Sequence, residues 1–304
     1  MHKYKFHLRV LGRHPQIVTS EESFFDHKKS WENLKTISNI EELWDCVVQN
    51  YLTLEHDMLA EAVNSMVLLS TNYDEFQDKR LTFARHLSNF LSSCRSYLDQ
   101  TPQHLRQFNK IVPKAHFKNW TNVSYDSLLG YRFMETLRNY AQHEGLPIHG
   151  TSFGSRWVDT DFDDPKTGRL RHTVIANINL MTLRKSGEFK KTVLSEFDSS
   201  EEVTSMRPLL RQYVEGLGDI HDKIRIALRP TLKEDYKRFN DSIELYRMAN
   251  PKSVLGLGIA QFNEKDEVLC NVPIFKELIT RVKTLQTRNG SMKNFTKRYV
   301  TSNE

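Results

Sequence analysis

The feature that most constrains this fold is a long run of apolar residues at helical spacing after residue 42. Its members are Leu43, Val47, Tyr51, Leu54, Met58, Ala62, Met66 and Leu69, with no Gly or Pro among the intervening residues. This spacing predicts one amphipathic helix. About 30 residues at the usual helical rise span about 45 Å. The segment Ser38-Asn39-Ile40-Glu41 has the capping-box pattern and predicts where the helix begins.

Three further helices are predicted before residue 148. A second apolar stripe predicts a helix that follows residue 72, and Thr101-Pro102 predicts the start of a short third helix that Pro113 closes. Residues 114–123 are predicted to be a loop, and Ser124 is predicted to cap the fourth helix. Four helices with short connections are typical of an α-helical bundle, with a short strand and a loop preceding them.

The second half of the chain has a mixed pattern. Clean alternation of apolar and polar residues, with turn-forming residues between, predicts two β-hairpins. The predicted elements are strands at 151–158 and 169–180, a helix at 199–217, a helix that follows Pro230, strands at 254–262 and 267–272, and a last helix from Pro273 to Leu285 before a loose basic tail. We therefore predict a mainly α protein, with a helical bundle at 1–148 followed by an α+β portion at 149–304 that has two β-hairpins and three to four helices. The sequence leaves open whether the two portions pack as one unit.

Composition excludes several classes of protein. The 304 residues are 38% hydrophobic, enough for a sizeable core, and the net charge of +5 permits a polyanionic partner without requiring one. The cysteines, Cys46, Cys94 and Cys270, are far apart, which argues against a disulfide-built secreted protein and against a zinc site. No apolar stretch approaches the roughly 18 residues of a membrane span. We expect a cytoplasmic protein that needs no cofactor or metal and has no membrane partner.

The fourth predicted helix carries the candidate active site. Arg138, Asn139 and His143 lie in its last turns, and the helix is predicted to stop where Gly145 takes the left-handed position and Pro147 prevents continuation. The Arg-x4-His spacing alone says little, because about one such pair is expected by chance in this composition. Asn139 and His143 share a helix face, whereas Arg138 lies about 140° away from His143. Two copies of the helix across a twofold axis could bring all three residue types together.

These residue types suit the cleavage of RNA. The 2′-hydroxyl of RNA is its own nucleophile, so an enzyme needs a base, an acid and positive charge on the phosphate. An imidazole such as that of His143 can act as either base or acid, and the helix dipole at the last turn favours a charged group. Arg138 offers a fork of donors for phosphate oxygens, and Asn139 can orient either the imidazole or the phosphate. We predict that these three residues are catalytic.

The segment Leu137-Arg138-Asn139-Tyr140-Ala141-Gln142-His143 resembles the Arg-polar-x3-His motif of HEPN domains (higher eukaryote and prokaryote nucleotide-binding). The resemblance covers this helix strongly and residues 38–147 loosely. It implies a HEPN-like bundle and a metal-independent endoribonuclease that acts as a homodimer, with both motifs lining one cleft. Many members are toxins, or effectors of phage defence and CRISPR systems, and the resemblance extends that expectation to this chain.

Two other interpretations of the same residues stay open. A HEPN-like bundle could bind RNA, nucleotide or a partner protein without cleaving anything. Alternatively, Arg138 could pair with Glu135 one turn earlier while His143 only decorates a helix end. In the catalytic interpretation, the substrate-binding residues are Arg132 and Gln142 on the same helix and His149, which the turn at Pro147 could fold back. Alternatively, Arg132 is a solvated arginine and His149 is a loop histidine.

Two apparent motifs are set aside. Gly150-Thr151-Ser152-Phe153-Gly154 matches the nucleophile elbow by letter, but a strand rather than a helix is predicted to follow the serine. Asp159, Asp161 and Asp163 resemble the start of a calcium-binding loop, but Asp164 stands where that loop needs glycine. We predict a hairpin turn there.

Overall fold

The computed structural model describes residues 2–68, 72–159 and 167–300, and the fold is mainly α, as predicted. Its helices are α1 Glu21–Val67, α2 Tyr73–Leu105, α3 Lys114–Ser127, α4 Leu129–His143, α5 Leu180–Lys185, α6 Lys191–Leu194, α7 Met206–Ala249 and α8 Lys276–Arg288. Its strands are β1 Lys3–Leu8, β2 Ile17–Thr19, β3 Gly150–Val158, β4 Arg169–Asn179, β5 Val203–Ser205, β6 Leu257–Phe262 and β7 Val268–Pro273.

Helix α1 begins at Glu21, whereas the capping-box pattern with Ser38 as the cap predicted a start at Asn39. The side chain of Ser20 accepts a hydrogen bond from the Ser23 amide at 3.1 Å and caps the helix instead. The early turns lacked a clear apolar stripe because polar residues occupy inward positions, among them His27 and Asn33. Glu41 is also buried, where it pairs with Arg225 at 2.6 Å rather than reaching back to a helix start.

Two prolines that were predicted to separate helices lie inside them. Helix α2 continues through Pro102, and helix α7 continues through Pro230. An internal proline removes one backbone hydrogen bond and disfavours the helical geometry before it. Buried side chains on both sides, including Leu105 in α2 and Leu228 and Leu232 in α7, hold each helix together through the interruption.

The predicted loop at 114–123 is wrong, because α3 covers it and buries Phe117. Ser124 therefore does not cap the fourth helix. It lies inside α3, where its hydroxyl donates to the Gly216 carbonyl at 3.4 Å. Helix α4 begins directly after Leu128, which is extended and makes no side-chain cap.

Both predicted β-hairpins are present. Strands β3 and β4 pair from Gly150 opposite Asn177 to Val158 opposite Arg169, and β5 joins the far edge of β4. Strands β6 and β7 extend a second antiparallel sheet, with the order β2-β1-β6-β7. The alternation seen in the sequence places Val174, Ala176 and Ile178 on one buried face of β4.

The chain forms two compact units that do not follow the predicted division at residue 148. One unit comprises residues 1–44, 101–114 and 223–290, and the other comprises 45–100, 115–222 and 291–304. Helices α1, α2 and α7 each contribute residues to both units. The boundaries between the units therefore fall inside these helices rather than between whole elements. The unit of residues 45–100, 115–222 and 291–304 contains α3 to α6 and the β3-β4-β5 sheet, together with every predicted site residue.

The tail was predicted to be loose, but residues 291–300 pack on this unit. The ring of Phe295 lies 5.3 Å from that of Tyr51, and the Arg298 carbonyl accepts a hydrogen bond from Arg211 at 2.7 Å. The side chain of Met292 contacts α7 at Gly218, where an added Cβ would come within 2.6 Å of it. The tail beyond 300 lies outside the described residues.

Candidate functional site

Helix α4 is held in place by an unusually close approach to α7. Its apolar stripe, which includes Phe133, Met134 and Leu137, is fully buried. At the start of the helix, the Gly130 amide donates to the Gln212 side chain at 2.8 Å. A Cβ on Gly130 would lie only 2.2 Å from the Leu209 carbonyl oxygen, so glycine is required for the two backbones to meet. This contact fixes the helix that carries the predicted catalytic residues.

Arg138 and Asn139 form a local pair on the half-buried side of α4. The Arg138 Nη1 donates to the Asn139 side-chain oxygen at 3.1 Å, which restricts the guanidinium orientation. The Arg138 Nε is buried and has no hydrogen-bond partner among the described residues. A buried donor without a partner carries a free-energy cost and is uncommon in folded proteins.

The alternative ion pair between Arg138 and Glu135 is not formed. The half-buried Glu135 carboxylate accepts a hydrogen bond from the Tyr213 hydroxyl, and it lies 3.9 Å from an Arg95 nitrogen. Burial raises the pKa of Glu135, and the charges of Arg95 and Arg138 only partly offset that effect. The charge of Arg138 therefore lowers the pKa of Glu135 without an ion pair between the two side chains. The guanidinium of Arg138 is not bound by this carboxylate and can contact another group.

The raised pKa of Glu135 gives a pH-dependent prediction for stability. A raised folded-state pKa means that burial favours the protonated acid, so this contribution is fully present below the unfolded value of about 4.5 and is lost as pH rises through the folded value. Glu135→Gln keeps an acceptor for Tyr213 without the charge. We expect the melting temperature of the variant minus that of the wild type to be more positive at pH 7.5 than at pH 4.5. A difference independent of pH, measured by thermal unfolding, would contradict this.

His143 and Gln142 are exposed in the last turn of α4, as predicted. The predicted left-handed Gly145 is wrong, because its φ lies outside that region. The amides of Glu144 and Gly145 both donate to the Tyr140 carbonyl, which closes the helix without a left-handed residue. Glycine is needed for another reason, since a Cβ there would lie 2.7 Å from the Tyr140 hydroxyl oxygen.

Within one chain, the predicted catalytic residues are not brought to one point. Arg138 and Asn139 are half-buried, and His143 is exposed at the end of α4. No hydrogen bond or ion pair joins these described side chains to His143. This agrees with the expected angle of about 140° between Arg138 and His143 around the helix.

Arg132, predicted to bind substrate, is engaged within the chain. It pairs with Glu196 through two hydrogen bonds, one of them from its Nε at 2.6 Å, and its Nη1 donates to the carbonyls of Tyr125 and Asp126. Its hydrogen bonds, and then its charge, hold the pKa of Glu196 below the usual range. Four N–H groups are therefore occupied in joining α4 to its neighbours, which leaves little of this side chain for a phosphate.

His149 is tied down by both ring nitrogens. Its Nδ1 accepts from the Asn179 amide at 3.3 Å, which assigns the proton to Nε2, 3.1 Å from the Tyr140 hydroxyl oxygen. Burial, and then the charge of Arg80, lower its pKa. His149 therefore links the end of α4 to the base of the β3–β4 hairpin, and its role in substrate binding stays a prediction.

A second anchor at the end of α4 had no signal in the sequence. The Glu144 carboxylate accepts hydrogen bonds from the Ser186 hydroxyl and from the Gly187 amide, the latter at 3.0 Å. These bonds lower the pKa of Glu144. The anchor holds the residue next to His143 against the turn that follows α5, so the helix end is fixed although His143 itself is exposed.

Other kinds of site were considered across the described ranges. Within residues 2–68, 72–159 and 167–300, no three His, Cys, Asp or Glu side chains are grouped so as to hold a metal ion. None of the helices in those ranges combines the length and apolar character that crossing a membrane requires. Asp161 and Asp163, from the predicted hairpin turn, lie outside the described residues.

Comparison with known proteins adds no assignment. No protein-family model, no curated protein and no solved structure matches this chain. The resemblance of the α4 motif to HEPN domains therefore depends on the residues of that helix alone.

Proposed function

We propose that this protein is a metal-independent endoribonuclease whose active site is formed by two copies of α4 in a homodimer. The observation that carries the proposal is the arrangement on α4: an Arg138–Asn139 pair oriented by a hydrogen bond, followed by an exposed His143 at a fixed helix end. The proposed reaction needs a cation, an orienting amide and an imidazole near one phosphate.

In the proposed reaction the substrate supplies the nucleophile. One His143 imidazole takes the proton of the 2′-hydroxyl as its oxygen attacks the adjacent phosphorus. The bond between phosphorus and the 5′-oxygen then breaks, and the second His143, in its charged form, donates a proton to that oxygen. The products are a 2′,3′-cyclic phosphate and a 5′-hydroxyl, so all atoms and protons are accounted for.

Arg138 stabilises the charge that develops on the non-bridging oxygens. A guanidinium presents a rigid fork of donors that matches two phosphate oxygens. Its bond to Asn139 restricts rotation, so less conformational freedom is lost when the phosphate binds. Such fixed charge is often the largest contribution to catalysis.

The wider biological role follows the same proposal. We infer a cytoplasmic enzyme in which the remainder of the chain selects substrate or controls activity, and the HEPN resemblance favours a toxin or antiviral effector. In the alternative role, RNA would be bound but never cleaved. The absence of any RNA product, together with salt-sensitive RNA binding that Arg138→Ala weakens, would favour that alternative.

The reaction class is tested with the wild-type protein. We expect it to cleave single-stranded RNA in the presence of EDTA, and to leave uncut the same RNA that carries 2′-deoxyribose at the cleavage position, because the nucleophile is missing. Gel electrophoresis of end-labelled RNA measures both rates. Cleavage of the deoxy-substituted site, or cleavage only after addition of Mg²⁺, would contradict the proposal.

A further inference from the structure

The outer end of the β3–β4 hairpin is a two-stranded ribbon. Strand β5 pairs only with residues 177–179 of β4, so the rest of β4 has β3 as its sole strand neighbour among the described residues. The buried side chains Val174 and Ala176 lie on one face, and Phe153 on that face contacts Phe76 in a tilted arrangement with ring centroids 4.9 Å apart. The opposite face is therefore directed away from the core.

This outer face carries three arginines close together. Arg156 lies directly opposite Arg171, and Arg169 lies on the same face two residues further along β4. Arg169 pairs with Asp159 at 2.6 Å. Arg156 and Arg171 are exposed, and neither forms an ion pair with a carboxylate of the described residues.

Two like charges directly opposite each other on neighbouring strands destabilise a sheet. The cost persists here because no described carboxylate offsets it at the Arg156–Arg171 pair. Next to these arginines the same face carries Gly154 opposite Thr173, and then Ser152 opposite the exposed Ile175. An extended anion could therefore lie along the face from the arginines as far as Gly154 and Thr173 before it meets a large side chain, Ile175.

We propose that this arginine face, defined by Arg156, Arg169 and Arg171, binds the phosphate backbone of single-stranded RNA. The choice of RNA among polyanions rests on the proposed function, whereas the need for a polyanion rests on the paired arginines. Paired guanidinium groups bind phosphates through charge-assisted hydrogen bonds. The apolar pair Trp157 and Leu170 lies on the other face of the ribbon, where it cannot stack on the bases of an RNA bound to the arginine face. Contacts between the arginine face and the phosphate backbone therefore carry no sequence preference.

The arginine face is connected to α4 through His149. The bonds of His149 to Tyr140 and Asn179 fix the base of the hairpin at the end of that helix. Arg156 is seven residues further along an extended strand, or about 23 Å at the usual rise. A long RNA could contact the face while its cleavage position lies at α4, whereas a dinucleotide could not reach both.

The test measures binding of a 2′-O-methyl RNA 20-mer, which cannot be cleaved because its 2′-oxygens carry no proton. We expect the double variant Arg156→Gln/Arg171→Gln to bind it about tenfold more weakly than the wild type, by fluorescence anisotropy in EDTA. The slope of log affinity against log salt should fall by about 1.4, because each lost phosphate contact removes about 0.7 for single strands.

The matched control removes two other exposed arginines, Arg106 and Arg229, by the same Gln substitutions. These have no ion pair with a described carboxylate either, so net charge changes equally. An equal loss of binding in the control, or unchanged binding and slope in Arg156→Gln/Arg171→Gln, would overturn the proposal. The proposal would also be overturned if Arg156→Gln/Arg171→Gln lost binding to anionic phospholipid vesicles but bound RNA as tightly as the wild type. Because the probe is never cleaved, the result does not depend on whether His143 is catalytic.

Discussion

Replacing His143 by alanine is expected to lower the rate of RNA cleavage by about 10²- to 10⁴-fold, the usual contribution of a positioned acid or base. In a homodimer the substitution removes both imidazoles, so the upper part of that range applies. His143 is exposed, and the end of α4 is held by Glu144 and His149 rather than by His143. The variant should therefore keep the wild-type circular dichroism spectrum and melting temperature.

The chain offers a matched control for this variant. Arg9 and His14 have the same spacing as Arg138 and His143, but they lie in the connection between β1 and β2. His14→Ala removes one histidine of an identical sequence pattern, and we expect it to leave the cleavage rate unchanged within about twofold. Equal rates for His143→Ala and the wild type, or equal losses for both histidine variants, would remove His143 from the mechanism.

Gly130→Ala is expected to destabilise the protein by about 2 kcal/mol or more, although alanine is the better helix former. The added Cβ would lie 2.2 Å from the Leu209 carbonyl oxygen and 2.6 Å from the Gln212 Cβ. The Leu209 carbonyl is part of the backbone in the first turn of α7 and cannot move aside as a side chain could, so α4 would have to shift. That shift would also break the bond from the Gly130 amide to Gln212.

Gly150→Ala is the control for this effect. A Cβ at Gly150 would meet no atom within 4 Å, and its backbone is not left-handed. We expect its melting temperature to stay close to that of the wild type, whereas Gly130→Ala should melt several degrees lower. Thermal unfolding followed by circular dichroism compares the two. Similar melting temperatures for both variants would show that the approach of α4 to α7 is not tight.

The sequence predicted those elements whose own residues carry the signal. The hairpins were predicted because apolar residues alternate on β4 and turn residues precede it, and α4 was predicted because its apolar stripe is regular. The start of α1 was missed because buried polar residues such as His27 and Asn33 interrupt the stripe. Pro102 and Pro230 were wrongly predicted to separate helices. Packing of side chains on both sides of each proline outweighs the local preference against proline inside a helix.

The candidate site shows the same limit. The positions of Arg138, Asn139 and His143 on one helix end could be read from the sequence, since helical spacing determines them. The pairing of Arg132 with Glu196, 64 residues away, could not, because a salt bridge between distant segments leaves no local pattern. The ties of His149 were hidden for the same reason, as Asn179 is 30 residues away from it.

The central claim is that one copy of α4 is inactive and that two form the site. It is tested most directly by mixing wild type with His143→Ala at constant total protein, allowing subunits to exchange, and measuring the rate of RNA cleavage in EDTA. If both copies of His143 are needed, only wild-type homodimers are active, so an equal mixture should retain about a quarter of the wild-type rate. A rate that falls in direct proportion to the wild-type fraction, to about half in the equal mixture, would contradict the shared site.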